Sequence, residues 1–500
     1  MGKVRCVALA GALGGCSLIY NPSNLPSPPG EAAVTVDAEV IIDADPSHLE
    51  LTTAFPPAID EGAGIDGSRP ALLVITGKNI IPGAQITLAR TGGGATTATV
   101  DNTQVVVAAD GNMIAVPIKV DIDPALGPKA GTASYTLDVT VTQVGTITKT
   151  LPAAIRVAGY DELGPTDPPV AGTYSRVMLT AAFTPGANAA PFVIRSSSSI
   201  TIGGAITAKG GASTPGPGGG AGGTSGQPGM GLGGGKANGG GGGYATPGTG
   251  AANNGAGGAG NLGDAALRTL ASPNRSSGGA GGGALTGGTP GLGGGGGGTV
   301  ELSARGNLSI AGVAVDGGNG GLGTGGLTTA TDGGGGSGGV ALLRAGGTFM
   351  VTGPVTATGG KKPAGSTSAG DGGDGRIRFD APVGATLSST PGAYRGPMFA
   401  ADTPLIFRTK VPTIAITCQA NAPFTYFILD EDGSLIEPLT SPLTCGPQGK
   451  ESIDLDAKGS PLSRGLNHIC LLVDGAARTD ELPEDRNCVD VAFIYLPPTP

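Results

Sequence analysis

Five charged residues around position 375 form the part of the sequence best suited to chemistry. Asp371 and Asp374 precede a stretch in which Arg376, Arg378 and Asp380 alternate with apolar residues. Because alternation with period two is typical of a β-strand, the last three charges should lie on one strand face, near the two aspartates. Carboxylates and basic groups in such a cluster can act as general base, general acid or sugar-binding groups.

The same alternation has a simpler interpretation, in which these charges form the solvated face of the last strand in a β unit. We favour this second interpretation because alternation alone accounts for it. Gly335–Gly339 fits the Gly-x-Ser-x-Gly pattern of hydrolases, but such matches arise by chance in a glycine-rich tract. We therefore predict a surface cluster, and we assign no catalytic residue, no cofactor and no metal ligand.

Four cysteines lie in the last hundred residues, at Cys418, Cys445, Cys470 and Cys488. An even number in an exported domain favours two disulfides, for which three connectivities exist. We expect Cys418–Cys445 and Cys470–Cys488, because each bridge closes a loop between neighbouring strands. A zinc site with His468 is the alternative, but neither Cys-x-x-Cys nor His-x-x-x-His spacing occurs here.

The N-terminus has the pattern of an export signal. Lys3 and Arg5 precede the apolar stretch Val7–Leu13, and Leu13-Gly14-Gly15-Cys16 follows. Residues 1–16 resemble the signal peptides of bacterial lipoproteins, and the resemblance implies a diacylglycerol on the thiol of Cys16. Ser17, rather than aspartate, after this cysteine implies delivery to the outer membrane or cell surface. Residues 17–48 have the proline content of an extended tether.

The composition excludes several classes of function. The chain of 500 residues has 97 glycines, 40 prolines, no tryptophan and 13% charged residues, which is unlike a single ordinary globular enzyme. Its net charge of −9 and its lack of a basic run exclude nucleic acid as a partner. A mean hydropathy of +0.12 is too high for a chain that is disordered throughout.

The segment 49–160 alternates apolar and polar residues, as in Tyr135–Val141, and we predict a β-sandwich there. Pro57–Gly62, Leu73–Asn79 and Pro82–Ala84 resemble the IPT/TIG branch of immunoglobulin-like domains. The resemblance implies a spacer or a binding platform. The segment 399–500 has the same alternation and predicts a second sandwich. Within it, Asp430–Gly433 departs from the calcium-loop pattern, so we predict a plain hairpin turn.

The centre of the chain carries an internal repeat. Residues 201–380 hold 67 of the 97 glycines, and a spaced apolar pattern recurs among them. Five positions recur 41 residues later: Val300, Leu302, Ala304, Leu308 and Ile310 correspond to Ala341, Leu343, Ala345, Phe349 and Val351. Phe192, Ile194, Ile200 and Ile202 match the same positions earlier in the chain, and Ile377 and Phe379 match them later. Stacked repeats of this kind predict a β-solenoid, since one unit cannot bury its apolar face alone.

The segment 170–398 resembles the glycine-rich parallel β-helices of bacterial surface adhesins. Its insert between Gly210 and Gly298 has two interpretations, a flexible loop or a bundle of polyglycine II strands. We expect the stability to lie in inward positions such as Leu302, Leu343 and Phe379. The glycine loops should lie outside the core, so that a deletion between Gly219 and Gly260 has little effect.

These observations predict an all-β chain of two sandwiches around a glycine-rich solenoid. We expect a lipid-anchored, non-enzymatic surface protein with a structural or adhesive function. Its expected partners are the membrane, through the lipid anchor, and cell-surface polysaccharide or other envelope proteins. The alternative is a β-helix that binds or degrades carbohydrate. Only five aromatic residues lie between 201 and 400, namely Tyr244, Phe349, Phe379, Tyr394 and Phe399, which disfavours sugar stacking.

Overall fold

A computed structural model describes most of the chain between His48 and Ile494. The residues within this range that it does not describe are 124–132, 144–146, 188–189, 225, 232, 237, 252–255, 259–288, 325–331, 409–410, 438–441, 456–461 and 474–486. The predicted signal peptide with Cys16 and nearly all of the tether lie outside the described residues. All of the described residues belong to one compact unit. The fold is all-β, as predicted.

The first nine strands form a sandwich. They are β1 (Glu50–Phe55), β2 (Ala58–Asp60), β3 (Ala71–Lys78), β4 (Gln85–Arg90), β5 (Ala98–Val100), β6 (Val106–Val107), β7 (Met113–Val120), β8 (Ala133–Gln143) and β9 (Ile147–Gly159). One sheet has the order β1-β3-β7-β5, with β6 also on β7, and the other has the order β2-β9-β8-β4. Alternate residues of both sheets, such as Ile75 on β3 and Val139 on β8, fill the space between them.

The next twelve strands form the solenoid. They are β10 (Asp161–Leu163), β11 (Gly172–Leu179), β12 (Phe192–Ser196), β13 (Ile200–Thr207), β14 (Thr299–Ala304), β15 (Leu308–Ala314), β16 (Val340–Ala345), β17 (Phe349–Val351), β18 (Val355–Thr356), β19 (Arg376–Asp380), β20 (Ser389–Thr390) and β21 (Tyr394–Arg395). All pairing among them is parallel. One ladder runs β12-β14-β16-β19-β21, the other runs β13-β15-β18-β20, and β11 pairs with the first strand of each.

The strand register confirms the repeat that the sequence predicts. Leu302 pairs with Leu343, which pairs with Phe379 on the next strand. In the second ladder Ile200 pairs with Leu308, which pairs with Phe349. These side chains stack in rows between the two ladders, and most of them are fully buried. Each turn of the solenoid therefore contributes one apolar side chain to each row of the core.

The glycine-rich segments leave the solenoid between its strands and pack together as a lattice of extended chains, which we call the glycine lattice. The N–H groups of Gly293–Gly298 donate in turn to three neighbouring segments. Their acceptors are the carbonyls of Gly223, Gly334, Gly211, Gly220, Ser337 and Ala208, at 2.8 to 2.9 Å. Every third N–H group donates to the same neighbouring segment, and none of the six donates within its own segment. This is the pattern of a polyglycine II strand, which has three residues per turn.

The lattice decides between the two interpretations of the insert for the residues that the structure describes. Gly220 accepts from Gly296, and Gly242 donates to Gly335 and accepts from Gly373. These residues of the insert are therefore interior parts of the lattice. The expectation that the stretch from Gly219 to Gly260 lies outside the core is wrong for its described residues, because backbone hydrogen bonds hold them in the lattice.

The last nine strands form the second sandwich. They are β22 (Met398–Phe399), β23 (Ile406–Phe407), β24 (Thr413–Thr417), β25 (Pro423–Asp430), β26 (Leu435–Glu437), β27 (Leu443–Thr444), β28 (Lys450–Asp454), β29 (Gly465–Val473) and β30 (Asn487–Phe493). The sheets are β22-β24-β28 and β23-β30-β29-β25-β26, with β27 also on β25. The turn after Asp430 is a hairpin between β25 and β26, in which Asp430 Oδ1 accepts from Ser434 N at 2.7 Å.

The two sandwiches contact each other as well as the solenoid. The outer face of β3 presents Leu72 and Val74 to Leu466, Ala492 and Ile494 of the second sandwich, and all of these side chains are buried. This contact explains why β3 is apolar on both faces, whereas β4 alternates. Both sandwiches and the solenoid therefore belong to one packed body.

Candidate functional site

The five charged residues are not a surface cluster. Arg376, Arg378 and Asp380 do share one face of β19, opposite the inward Ile377 and Phe379, as the alternation predicts. That face, however, is 3%, 4% and 0% exposed at the three charged positions. The expectation of a solvated face is wrong, because the glycine lattice and the second sandwich contribute residues that pack on it.

Asp380 is the centre of a buried ion cluster. Arg378 binds it with two parallel hydrogen bonds, from Nε to Oδ1 and from Nη2 to Oδ2, each of 2.8 Å. Arg344 donates from Nε to Oδ2 at 3.2 Å. Such a bidentate pair fixes the planes of both groups, and two guanidinium groups neutralise the single carboxylate.

The second sandwich contributes a further ligand to Asp380. Asn487, the first residue of β30, donates from Nδ2 to Asp380 Oδ2 at 3.1 Å and to the carbonyl oxygen of Pro397 at 2.6 Å. Gly396 lies so close that a Cβ there would meet Asp380 Oδ1 at 1.9 Å. The cluster is therefore a joint between the last turn of the solenoid and the second sandwich.

The electrostatics of Asp380 oppose a role in acid-base catalysis. Burial by itself would raise the pKa of Asp380, but Arg378, Arg344 and the Asn487 amide outweigh it and hold this pKa below its ordinary value. A general base needs access to its substrate and a pKa near the working pH. Asp380 is inaccessible and remains charged, so it is suited to holding the joint together.

Arg376 belongs to a different contact on the same strand. Its guanidinium carbon lies 4.9 Å from the ring centroid of Tyr244, which comes from the glycine lattice. Tyr244 packs in turn on Val340 and Leu342, on the outer face of β16. Burial lowers the pKa of Arg376 despite the opposing effect of Tyr244. This cation–π contact joins the lattice to the solenoid.

The two aspartates hold backbone groups of the lattice. Asp371 Oδ1 accepts from the backbone N of Lys362 at 2.9 Å, and Asp374 Oδ1 accepts from Gly359 N at 3.1 Å. The backbone N–H of Asp374 donates to Thr246 Oγ1 at 2.8 Å. The structure thus divides the five predicted residues among three separate contacts. None of these contacts brings them together as a site for substrate.

Comparison with known proteins gives no assignment. The chain matches no family model, no curated protein and no solved structure. Within the described part of the chain, no group of three or more histidine, cysteine, aspartate or glutamate side chains could hold a metal ion. The same residues include no helix of the length and hydropathy needed to cross a membrane.

Both expected disulfides are present, as Cys418–Cys445 and Cys470–Cys488. His468 does not join Cys470 in a zinc site. Its Nδ1 atom lies 2.6 Å from Asp490 Oδ1 on the paired strand β30, and this hydrogen bond raises the pKa of His468. The zinc alternative is wrong because the cysteine sulfur atoms are bonded to each other.

A second set of polar contacts joins the first sandwich to the start of the solenoid. Asp60 pairs with Arg305 at 2.8 Å, and Asp66 pairs with Arg176 at 2.9 Å. Between these two ion pairs, the fully buried Glu61 accepts from Ser175 Oγ at 3.2 Å. These partners lie more than a hundred positions apart in the chain, and no sequence pattern links them. The solenoid is therefore fixed by charged joints at both of its ends.

Proposed function

We propose that this protein is a lipid-anchored, non-enzymatic component of the bacterial cell surface, in which a rigid solenoid and glycine lattice serve a structural or adhesive function. The proposal combines the N-terminal sequence pattern with the architecture. Its anchor is the lipid on Cys16, and its location is the outer membrane or cell surface. The first sandwich, which resembles IPT/TIG domains, is a spacer or a binding platform.

One observation supports this proposal most strongly. The charged residues best suited to sugar chemistry are all engaged in contacts that hold the modules and the lattice together. Asp380 joins the solenoid to the second sandwich, Arg376 joins it to the lattice, and Asp371 and Asp374 bind lattice backbone. Their positions are those of internal supports, so the carbohydrate-active alternative loses the residues on which it depended.

The packing of the modules favours a mechanical function. A chain of separate domains would bend at its linkers, whereas these sandwiches share an apolar contact with each other and charged joints with the solenoid. The two disulfides further restrict the second sandwich and are typical of proteins outside the cytoplasm. A stiff, cross-linked body on a lipid anchor suits a protein that projects from a membrane.

The aromatic residues also disfavour the carbohydrate alternative. Of the five aromatic side chains between residues 201 and 400, Tyr244, Phe379 and Phe399 are 7%, 8% and 5% exposed. Tyr244 lies under Arg376, and Phe379 packs against Phe349 at a centroid distance of 5.6 Å. These rings are committed to the interior of the protein, so they are not platforms for sugar stacking.

Metabolic labelling with a radioactive fatty acid in a double-membrane bacterium tests the anchor. The full precursor should take up label, and Cys16→Ala should abolish it while leaving an unprocessed chain. Cys6→Ala is the matched control, since it removes a thiol from the same signal segment and should keep the label. Undiminished labelling of the Cys16→Ala chain contradicts the proposal.

Protease treatment of intact cells tests the location separately from the anchor. The protein should be cleaved on whole cells, or be reached there by an antibody against the second sandwich. A labelled protein that becomes accessible only after the outer membrane is broken would keep the anchor and contradict surface exposure.

A further inference from the structure

The two disulfides differ in their surroundings. Cys418 and Cys445 are 2% and 1% exposed and belong to the core of the second sandwich. Cys470 is also buried, but Cys488 is exposed at the surface of β30. A dissolved thiol can therefore reach the Cys470–Cys488 bridge at Cys488, whereas the Cys418–Cys445 bridge is covered on both sides.

The exposed bridge is next to the joint with the solenoid. β29 pairs with β30 from Gly465 opposite Phe493 to Leu471 opposite Asn487, and the disulfide joins the adjacent pair. Asn487, the residue that reaches Asp380, is therefore at the end of the ladder, beside Cys488. End pairs of a ladder open before central pairs do, and a covalent link one residue away opposes this opening.

We propose that the Cys470–Cys488 disulfide is a redox-sensitive clamp, which keeps Asn487 on Asp380 and thereby keeps the second sandwich fixed to the end of the solenoid. Reduction leaves the ladder of β29 and β30 in place but frees its end to open. Asn487 then leaves Asp380 and Pro397, and the joint loosens without unfolding of either module. This inference does not depend on the lipid anchor or on surface location.

The reductant is a dithiol. One of its thiolates attacks the Cys488 sulfur and releases the Cys470 thiolate, and its second thiol then displaces Cys488. The dithiol becomes a disulfide, and its two electrons and two protons end on the thiols of Cys470 and Cys488. The reverse reaction with an oxidised dithiol restores the clamp.

Hydrogen exchange of the full chain tests the clamp, with dithiothreitol as the reductant and mass spectrometry as the readout. Two amides report on the joint: Gly396 N–H donates to Phe379 O at 3.0 Å, and Arg395 N–H donates to Gln419 Oε1 at 3.1 Å. Reduction of Cys470–Cys488, confirmed by alkylation of both thiols, should speed exchange of this peptide at least tenfold. Exchange in β14 and β16, in the middle of the solenoid, should not change.

Variants separate the clamp from general destabilisation. Asn487→Ala keeps the disulfide and should speed exchange at the joint without reductant. Cys470→Ser with Cys488→Ser should give fast exchange that dithiothreitol does not change further. The matched control, Cys418→Ala with Cys445→Ala, should still respond to reductant. Unchanged exchange at Gly396 after reduction, unchanged exchange in Asn487→Ala, or equal acceleration in β14 and β16 would each overturn the proposal.

Discussion

The solenoid and the glycine lattice solve the same packing problem in opposite ways. In the solenoid, extended strands hold a row of side chains between two ladders, and Leu302, Leu343 and Phe379 fill successive turns. In the lattice, extended segments approach until their backbones are in contact, because glycines at most contact positions place no side chain between them. The solenoid depends on burial of apolar surface, whereas the lattice depends on backbone hydrogen bonds in three directions.

The comparison shows where each region is vulnerable. The solenoid requires side chains of a given size and apolarity, so polar or charged replacements should damage it. The lattice requires the absence of side chains, so even a methyl group should damage it. Gly334, Gly336 and Gly338 lie in a buried segment where a Cβ would meet a neighbouring carbonyl oxygen at 1.9 to 2.3 Å.

Leu343→Asp should have the largest effect. Leu343 is fully buried between successive turns of the solenoid, in a core of apolar side chains. A carboxylate placed there would have to be buried without a partner or be protonated, and both cost free energy. We expect a loss of about 5 kcal/mol or more in the free energy of unfolding, measured by urea denaturation followed by circular dichroism. Met350→Asp is the control, since Met350 is 49% exposed on β17. Equal losses for both variants would contradict a side-chain core.

Asp380→Asn should have the next largest effect, a loss of about 3 to 5 kcal/mol in the free energy of unfolding near pH 7. The reason is that two buried guanidinium groups lose the negative charge that they share. The folded state lowers the pKa of Asp380, so the carboxylate stabilises the fold above its ordinary pKa of about 4 and loses this effect as pH falls through the lowered value. The stability difference between wild type and variant should therefore shrink in acid. A difference that is independent of pH would show that the charge is not what matters.

Gly336→Ala tests the lattice with the smallest possible side chain. Its Cβ would lie 2.1 Å from Gly295 O, and the obstacle is backbone that cannot rotate away. We expect a loss of about 3 kcal/mol in the free energy of unfolding and faster proteolysis of the lattice segments. Gly186→Ala is the control, because a Cβ at Gly186 meets nothing within 4 Å. If Gly336→Ala and Gly186→Ala had the same free energy of unfolding, the lattice segments would not be closely packed in solution.

Tyr244→Leu should have the smallest effect, a loss of about 1 kcal/mol in the free energy of unfolding. Leucine keeps the apolar contact with Val340 and Leu342, and only the cation–π contact with Arg376 is lost. A double-mutant cycle with Arg376→Met isolates that contact. A coupling energy near zero would mean that the ring and the guanidinium group contribute independently.

The repeat in the sequence predicted the solenoid down to its register. The 41-residue spacing that relates Leu302 to Leu343 is the observed strand pairing, because apolar slots recur at every turn of a solenoid. The same alignment also implies one contact within the charged cluster. If Phe379 occupies the slot of Leu343, then Arg344 must lie beside Asp380, as it does.

Other contacts had no signal of that kind. Asn487 is 107 residues from Asp380, and Tyr244 lies in a glycine-rich segment whose composition fits both a loop and a lattice. The burial of Arg376 and Arg378 depends on what covers the strand face. Alternation along a strand predicts which residues share a face, but the partner of that face comes from elsewhere in the chain.

The threefold hydrogen bonding of the lattice segments constrains how the gene can change. One inserted codon in the segment 293–298 turns every following N–H group by a third of a revolution and aims it at the wrong neighbour. Three inserted codons restore the direction and lengthen the segment by about 9 Å. Homologous chains should therefore differ in this tract by multiples of three residues, with matching changes in the adjoining segments.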